Sequence, residues 1–119
     1  MSLQLSDYEV DAETHVIELG GDVDLYSAPA FKERLAEIID GGKRRVVLDL
    51  SQATLFDSSA LGALVGGVNR LQPRGGSLAL VVTDESLHEL FDITGLDRAF
   101  PIHGTREEAL AAVMADGDA

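Results

Sequence analysis

The chain alternates short apolar runs with stretches in which apolar residues recur every three or four positions, the periods of strands and of helices. Leu3-Gln4-Leu5-Ser6 and Tyr8-Glu9-Val10 alternate weakly, and His15-Val16-Ile17-Glu18-Leu19 is more strand-like. Asp11-Ala12-Glu13-Thr14 between them has turn composition, so the pattern predicts a hairpin. Gly20-Gly21 is expected to end the second strand, leaving Asp22 and Asp24 in a short loop. Ser27-Ala28-Pro29 opens a helix with Ser27 or Ala28 as its cap, since proline is tolerated where N–H groups have no intrahelical partner. Phe31, Leu35, Ile38 and Ile39 give that helix an apolar face. Lys32, Glu33, Arg34 and Glu37 should face water, and Gly41-Gly42 should stop the helix.

Val46-Val47-Leu48-Asp49-Leu50 is nearly continuous apolar, as expected of a central strand covered on both faces. Asp49 should turn toward a polar end or a backbone N–H. The preceding Lys43-Arg44-Arg45 reads as a solvated lead-in to the strand rather than a phosphate site. A second helix is expected from about Ser59 to Gln72, with Leu61, Leu64, Val65, Val68 and Leu71 buried and Pro73 ending it. Gly62, Ala63, Gly66 and Gly67 crowd this segment with small residues, and each glycine costs a helix about 1 kcal/mol relative to alanine. Close packing against the sheet or a partner would offset that cost. Ser77 to Val82 reads as the next strand, after the turn Arg74-Gly75-Gly76. Asp84 caps a third helix carrying Leu87, Leu90, Phe91 and Thr94, with Gly95 just past its end. Ala99-Phe100-Pro101-Ile102 reads as a short edge strand because proline cannot donate to a ladder. Thr105-Arg106-Glu107-Glu108 matches a capping box ahead of Ala109, Leu110, Val113 and Met114, and Asp116 to Ala119 reads as a frayed acidic tail.

The resulting order is two strands followed by helix–strand alternation to a fourth helix. It predicts one α/β domain spanning 1–119, its core about 3–115, with a mostly parallel sheet and an N-terminal hairpin. The length of 119 residues suits one core, and 45% apolar content can fill it. A formal net charge of -12 argues against nucleic acid and anionic membrane as partners and admits a partner with a basic face. Cysteine is absent, so neither disulfides nor thiolate chemistry are expected. No run approaches the ~18 apolar residues of a membrane span, and no signal peptide is visible; a soluble cytoplasmic protein is expected.

In parallel α/β sheets functional groups gather at the carboxyl ends of strands, which places Asp22 and Asp24 on the same end of the domain as Asp57 and Ser58. Ser58 stands where a helix N-cap is expected, and capping alone would account for it. Asp24 and Asp57 are equally explained as solvated loop residues or local Asx turns. The segment Asp57-Ser58-Ser59-Ala60-Leu61-Gly62 after a strand, with Gly21-Asp22-Val23-Asp24 upstream and Thr94-Gly95-Leu96-Asp97 downstream, resembles the STAS domain of bacterial anti-sigma factor antagonists. The resemblance covers roughly Leu3 to Ala115. It implies the STAS fold and a phosphorylation switch on the first serine of the motif, Ser58, with Ser59 as the alternative.

It further implies a binding module and not an enzyme. The unphosphorylated form would bind an anti-sigma factor that is also a serine kinase, freeing a sigma factor; phosphorylation would end the contact and a PP2C-type phosphatase would reset it. The partner surface would take in the Asp22–Ser27 loop and the exposed part of the second helix, with Asp22, Asp24, Asp57, Ser58, Ser59, Gly62 and Gly66 in it. No cofactor is implied, ATP and magnesium belonging to the kinase, and the domain would be a monomer or weak dimer. Asp57 would orient the hydroxyl or be read by the kinase. The family usually has glycine where this chain has Ala60, a methyl placed where a partner's backbone could approach.

Other chemistries find little footing. His15, His88 and His103 lack metal-ligand spacing and read as surface residues. There is no Gly-x-Ser-x-Gly elbow, Walker loop or dinucleotide fingerprint. A receiver phosphorylated on aspartate would need a lysine after its last strand, and none follows Lys43. The rival within the fold is a STAS adaptor without a phosphoswitch, serving a transporter assembly or binding a nucleotide or lipid.

Overall fold

The computed structural model describes residues 2–117, with side chains as far as residue 115. Five strands form one sheet in the order β1-β2-β3-β4-β5. They are β1 (Gln4–Asp11), β2 (Thr14–Val23), β3 (Arg45–Phe56), β4 (Ser77–Val81) and β5 (Ile102–His103). β1 pairs antiparallel with β2 as the expected hairpin, and the remaining pairs are parallel. Between them run α1 (Ala28–Asp40), α2 (Ser58–Leu71), α3 (Glu85–Thr94), α4 (Leu96–Ala99) and α5 (Arg106–Gly117).

Side-chain alternation along the central strands builds two cores. Ile17 and Leu19, then Val46, Leu48 and Leu50, turn to one face, where Phe31 and Leu35 of α1, Leu64 and Leu71 of α2, and Phe91 of α3 meet them. Val16, Val47, Ala79 and Val81 turn to the other, under Ala109 and Val113 of α5. That two-sided burial is why Val46–Leu50 reads as a continuous apolar run. Asp49 breaks the run on the α5 side, where Oδ1 accepts from the Ser51 N–H at 2.9 Å and Oδ2 from Arg106 Nη2 at 2.7 Å. Burial alone would push this carboxyl up; the Ser51 hydroxyl and N–H and the Arg106 guanidinium outweigh it and hold it below its usual range.

Several boundaries differ from expectation. β2 does not end at Gly20-Gly21 but continues to Val23, absorbing the glycines through shifts of register against β3, with Gly21 at φ 76°. β3 likewise runs through Thr54-Leu55-Phe56 instead of yielding to a loop. Among the described residues the α-helices number five rather than four, because Gly95 at φ 76° both ends α3 and starts the one-turn α4. α4 takes Ala99 out of the expected strand, leaving β5 as Ile102–His103 at the sheet edge after Pro101. α2 stops at Leu71, and Pro73 sits inside the 3-10 turn that follows it. The Glu108 N–H donates to Thr105 Oγ1 at 3.1 Å, as in a capping box, while Glu108 Oε1 accepts from the Thr105 hydroxyl at 3.0 Å rather than from the backbone N–H that the full motif uses. The helix behind them continues through Asp116 to Gly117, so those two residues are not frayed; the rest of the expected tail lies outside the described residues.

Basic side chains on three segments make contacts that the sequence pattern does not show. Arg34, its side chain still 38% exposed, also reaches Asp7 of β1 with two bonds of 2.8 Å. His15 is buried, not superficial, and its Nε2 lies 2.7 Å from Asp7 Oδ1. Lys43, Arg44 and Arg45 are tied to the hairpin turn rather than merely solvated: Lys43 to Glu9 and the Asp11 carbonyl, Arg44 to Glu13, Arg45 to Thr14.

Candidate functional site

The carboxyl ends of β2 and β3 are laced together. The Asp57 N–H donates to the Val23 carbonyl at 3.1 Å, and Thr54 Oγ1 donates to Asp22 Oδ1 at 2.7 Å. The Leu25 N–H donates to Asp57 Oδ2 at 2.9 Å. The two acidic loops therefore lie side by side, as the topology requires.

Ser58 is not the cap of α2; Asp57 is. Because β3 stays extended through Phe56, Asp57 is the residue left at the strand-to-helix junction, with φ -89° and ψ -173°. Its Oδ1 accepts from the Ser59 and Ala60 N–H groups at 2.9 and 3.1 Å, and the first helical bond runs from the Leu61 N–H to its carbonyl. Aspartate caps as well as serine does, and the extended backbone decides which residue serves. Ser58 becomes the first helical residue, exposed, with a hydroxyl that bonds nothing among the described residues. Ser59 is half-buried beside the α1–α2 groove.

Asp24 closes an Asx turn: its Oδ1 accepts from the N–H groups of Tyr26 and Ser27 and from the Ser27 hydroxyl, at 3.0 to 3.1 Å. That hydroxyl also bonds the Asp22 carbonyl at 2.9 Å. The loop so pinned holds Leu25 64% and Tyr26 89% exposed. The contact surface implied by the resemblance takes in this loop without singling out the pair. The available signal was two large apolar residues set between Asp24 and Ser27.

The glycines of α2 separate into two kinds. Gly67 is pressed on α1, and a methyl there would overlap Leu35. Gly62 and Gly66 are exposed, with open space where a Cβ would stand, so packing within the domain does not account for them. Beside them a groove between α1 and α2 is walled by Leu25, Pro29, Lys32, Ser59 and Ala63. Ala60 is fully buried in the core, so its methyl cannot meet a partner, contrary to the expectation drawn from the family's usual glycine. The structure thus brings Asp22, Asp24, Asp57 and Ser58 to one end of the sheet, with Gly62 and Gly66 along the helix leading away from it.

Comparison with known proteins places this geometry. The STAS domain model matches residues 6–109. The anti-sigma-B factor antagonist of Bacillus subtilis (strain 168) is 35% identical over 91 residues, which cover 76% of this chain and 83% of that one. Its namesake from Listeria monocytogenes is 32% identical over 110 residues, 91% of this chain and 95% of the relative. A crystal structure of an anti-sigma factor antagonist from Mycobacterium paratuberculosis superposes with a TM-score of 0.86 at 26% identity, covering 95% of each chain. The Bacillus cell fate determinant SpoIIAA in its phosphorylated form superposes with a TM-score of 0.72 at 25% identity, over 94% of this chain and 99% of that one. With its five-stranded sheet and its strand–Asp-Ser-Ser–helix junction, the chain belongs to the STAS family of anti-sigma factor antagonists.

Proposed function

We propose that this protein is an anti-sigma factor antagonist switched by phosphorylation of Ser58. Unphosphorylated, it binds an anti-sigma factor that is also a serine kinase and so frees a sigma factor; a PP2C-type phosphatase resets the modified form. The observation that carries the reading is the position of Ser58: exposed, unbonded, and first in a helix whose neighbouring loop presents Leu25 and Tyr26. The names of its relatives support the partner class.

The physics of the switch follows from that position. A phosphoserine carries about -1.5 to -2 charges. The macrodipole of a helix N-terminus favours that charge locally, so the domain keeps its fold. The penalty falls on the interface, where the partner would have to desolvate a dianion already flanked by Asp22, Asp24 and Asp57. The contact surface comprises those three aspartates, Ser58, Ser59, Gly62 and Gly66, where a partner's backbone can come close.

The test is intact mass and site mapping after incubation with ATP and candidate anti-sigma kinases, run beside Ser58→Ala and Ser59→Ala. One added phosphate, lost in Ser58→Ala and kept in Ser59→Ala, is the expected result. Binding to a candidate without any phosphate transfer would make the protein a phosphorylation-independent adaptor. Loss in Ser59→Ala alone would move the switch by one residue.

A further inference from the structure

We infer that Asp57 is the strut that presents the Leu25–Tyr26 loop to the partner, and that a phosphate on Ser58 acts on that loop through it. The inference rests on the reading of Ser58 as the phosphorylated residue and adds a route by which the modification reaches the docking surface.

One carboxylate does two jobs at this corner. Asp57 Oδ1 closes the first turn of α2 on the Ser59 and Ala60 N–H groups, while Oδ2 holds the Leu25 N–H from the neighbouring loop at 2.9 Å. Leu25 and Tyr26 are large, apolar and mostly exposed. Their backbone is fixed from two sides: Asp57 takes the Leu25 N–H, and Asp24 takes those of Tyr26 and Ser27. An exposed aromatic residue on a preorganised loop is a strong anchor for a partner, because little ordering remains to be done on binding.

A phosphate on Ser58 is one residue from this carboxylate and seeks the same donors. A dianion at the first helical position competes for the Ser59 and Ala60 N–H groups that Asp57 now occupies. It also repels the Asp57 carboxylate at short range. Displacing Asp57 from the cap also draws it from Leu25. The loop then loses its tie to the start of α2, keeping its holds on Asp24 and the Asp22 carbonyl, and Leu25 and Tyr26 lose part of their fixed presentation. The partner thus meets a new charge and a loosened anchor together.

The test reads the loop itself. The protein is made with phosphoserine encoded at position 58, so no kinase is needed, and amide solvent exchange is measured by NMR beside the unmodified protein. Asp57→Asn is compared in both forms: asparagine still caps a helix, but its single carbonyl oxygen cannot serve both the cap and Leu25. The expected result is Leu25 amide exchange faster by about fivefold with phosphoserine, the weight of one net hydrogen bond. A similar rise is expected in unmodified Asp57→Asn, with little further rise when phosphoserine is added to that variant. Unchanged Leu25 exchange with phosphoserine would overturn the inference, as would an equal rise in the Asp57→Asn background. Because this readout needs no partner, it fails separately from the proposed function, which is decided by whether a kinase modifies Ser58 in the natural protein.

Discussion

Adjacent residues at the switch have opposite duties, and stability measurements should separate them. Ser58 is exposed and unbonded, so Ser58→Ala should change unfolding free energy by no more than about 0.5 kcal/mol. Asp57 caps a helix and bridges to a second loop. Asp57→Ala should therefore cost about 1–2 kcal/mol in urea titration. Reversed magnitudes would restore Ser58 as the cap. Capping-residue statistics could not choose between Asp57 and Ser58, because both types cap well and adjacent positions share one sequence signal. The choice lay in how far β3 stays extended, which depends on pairing with β2: Asp22 pairs with Leu55 and Val23 with Phe56.

At the scale of elements, α2 decides how the site is built. Its buried face is set by Ala60, Ala63, Leu64, Gly67 and Leu71. Leu61 and Val68 are only partly covered, and Val65 is 37% exposed. Choosing the largest side chains as the inward face gave a stripe rotated away from the true one. Small residues face inward because α1 lies close, and Gly67 takes the contact with Leu35. Two substitutions test this directly. Gly66→Ala enters open space and should stabilise the domain by up to about 1 kcal/mol through helix propensity alone. Gly67→Ala drives a methyl into buried Leu35, where overpacking costs of about 1–3 kcal/mol offset or exceed the same propensity gain. Thermal unfolding of the pair should therefore split in favour of Gly66→Ala, and equal stabilities would mean that α1 yields freely. If Gly66 lies in the partner contact, its alanine variant will also bind the anti-sigma factor less tightly while being no less stable. The central strand, the hairpin and the α3 boundaries were legible because each is encoded locally, in an apolar run, a turn and a cap–glycine pair. The one-turn α4 was not, since four residues carry no period.

Over the whole molecule, a chain of net charge -12 depends on placing its few cations where they join distant segments. Arg106 links α5 to Asp49 of β3, and Arg34 links α1 to Asp7 of β1, with His15 of β2 sharing the same carboxylate. The Arg34 and Arg106 pairs join segments tens of residues apart, which is why the helical period alone set Arg34 in water. The Arg34 guanidinium, opposed by partial burial and aided by the His15 ring, holds the Asp7 carboxyl down to about 2. The ordinary value is about 4. A carboxyl whose pKa is lower in the folded state favours folding while it is ionised. Its contribution is complete above about pH 4 and is lost as the pH falls toward 2. Asp7→Asn keeps the volume but loses the charge, and should cost about 2 kcal/mol at pH 6, the weight of hydrogen bonds to charged groups. Urea titrations of both proteins at pH 6 and near pH 2.5 test the linkage through their difference, which removes the effect of the other acidic groups. The gap should narrow at the lower pH, because Asp7 is there protonated in the unfolded chain but still largely ionised in the folded one, and proton binding by the unfolded chain removes part of the stabilisation. A gap that stays constant would mean that Arg34 and His15 hold Asp7 in place without lowering its pKa on folding. Joining β1 to α1 would then be a matter of shape rather than charge.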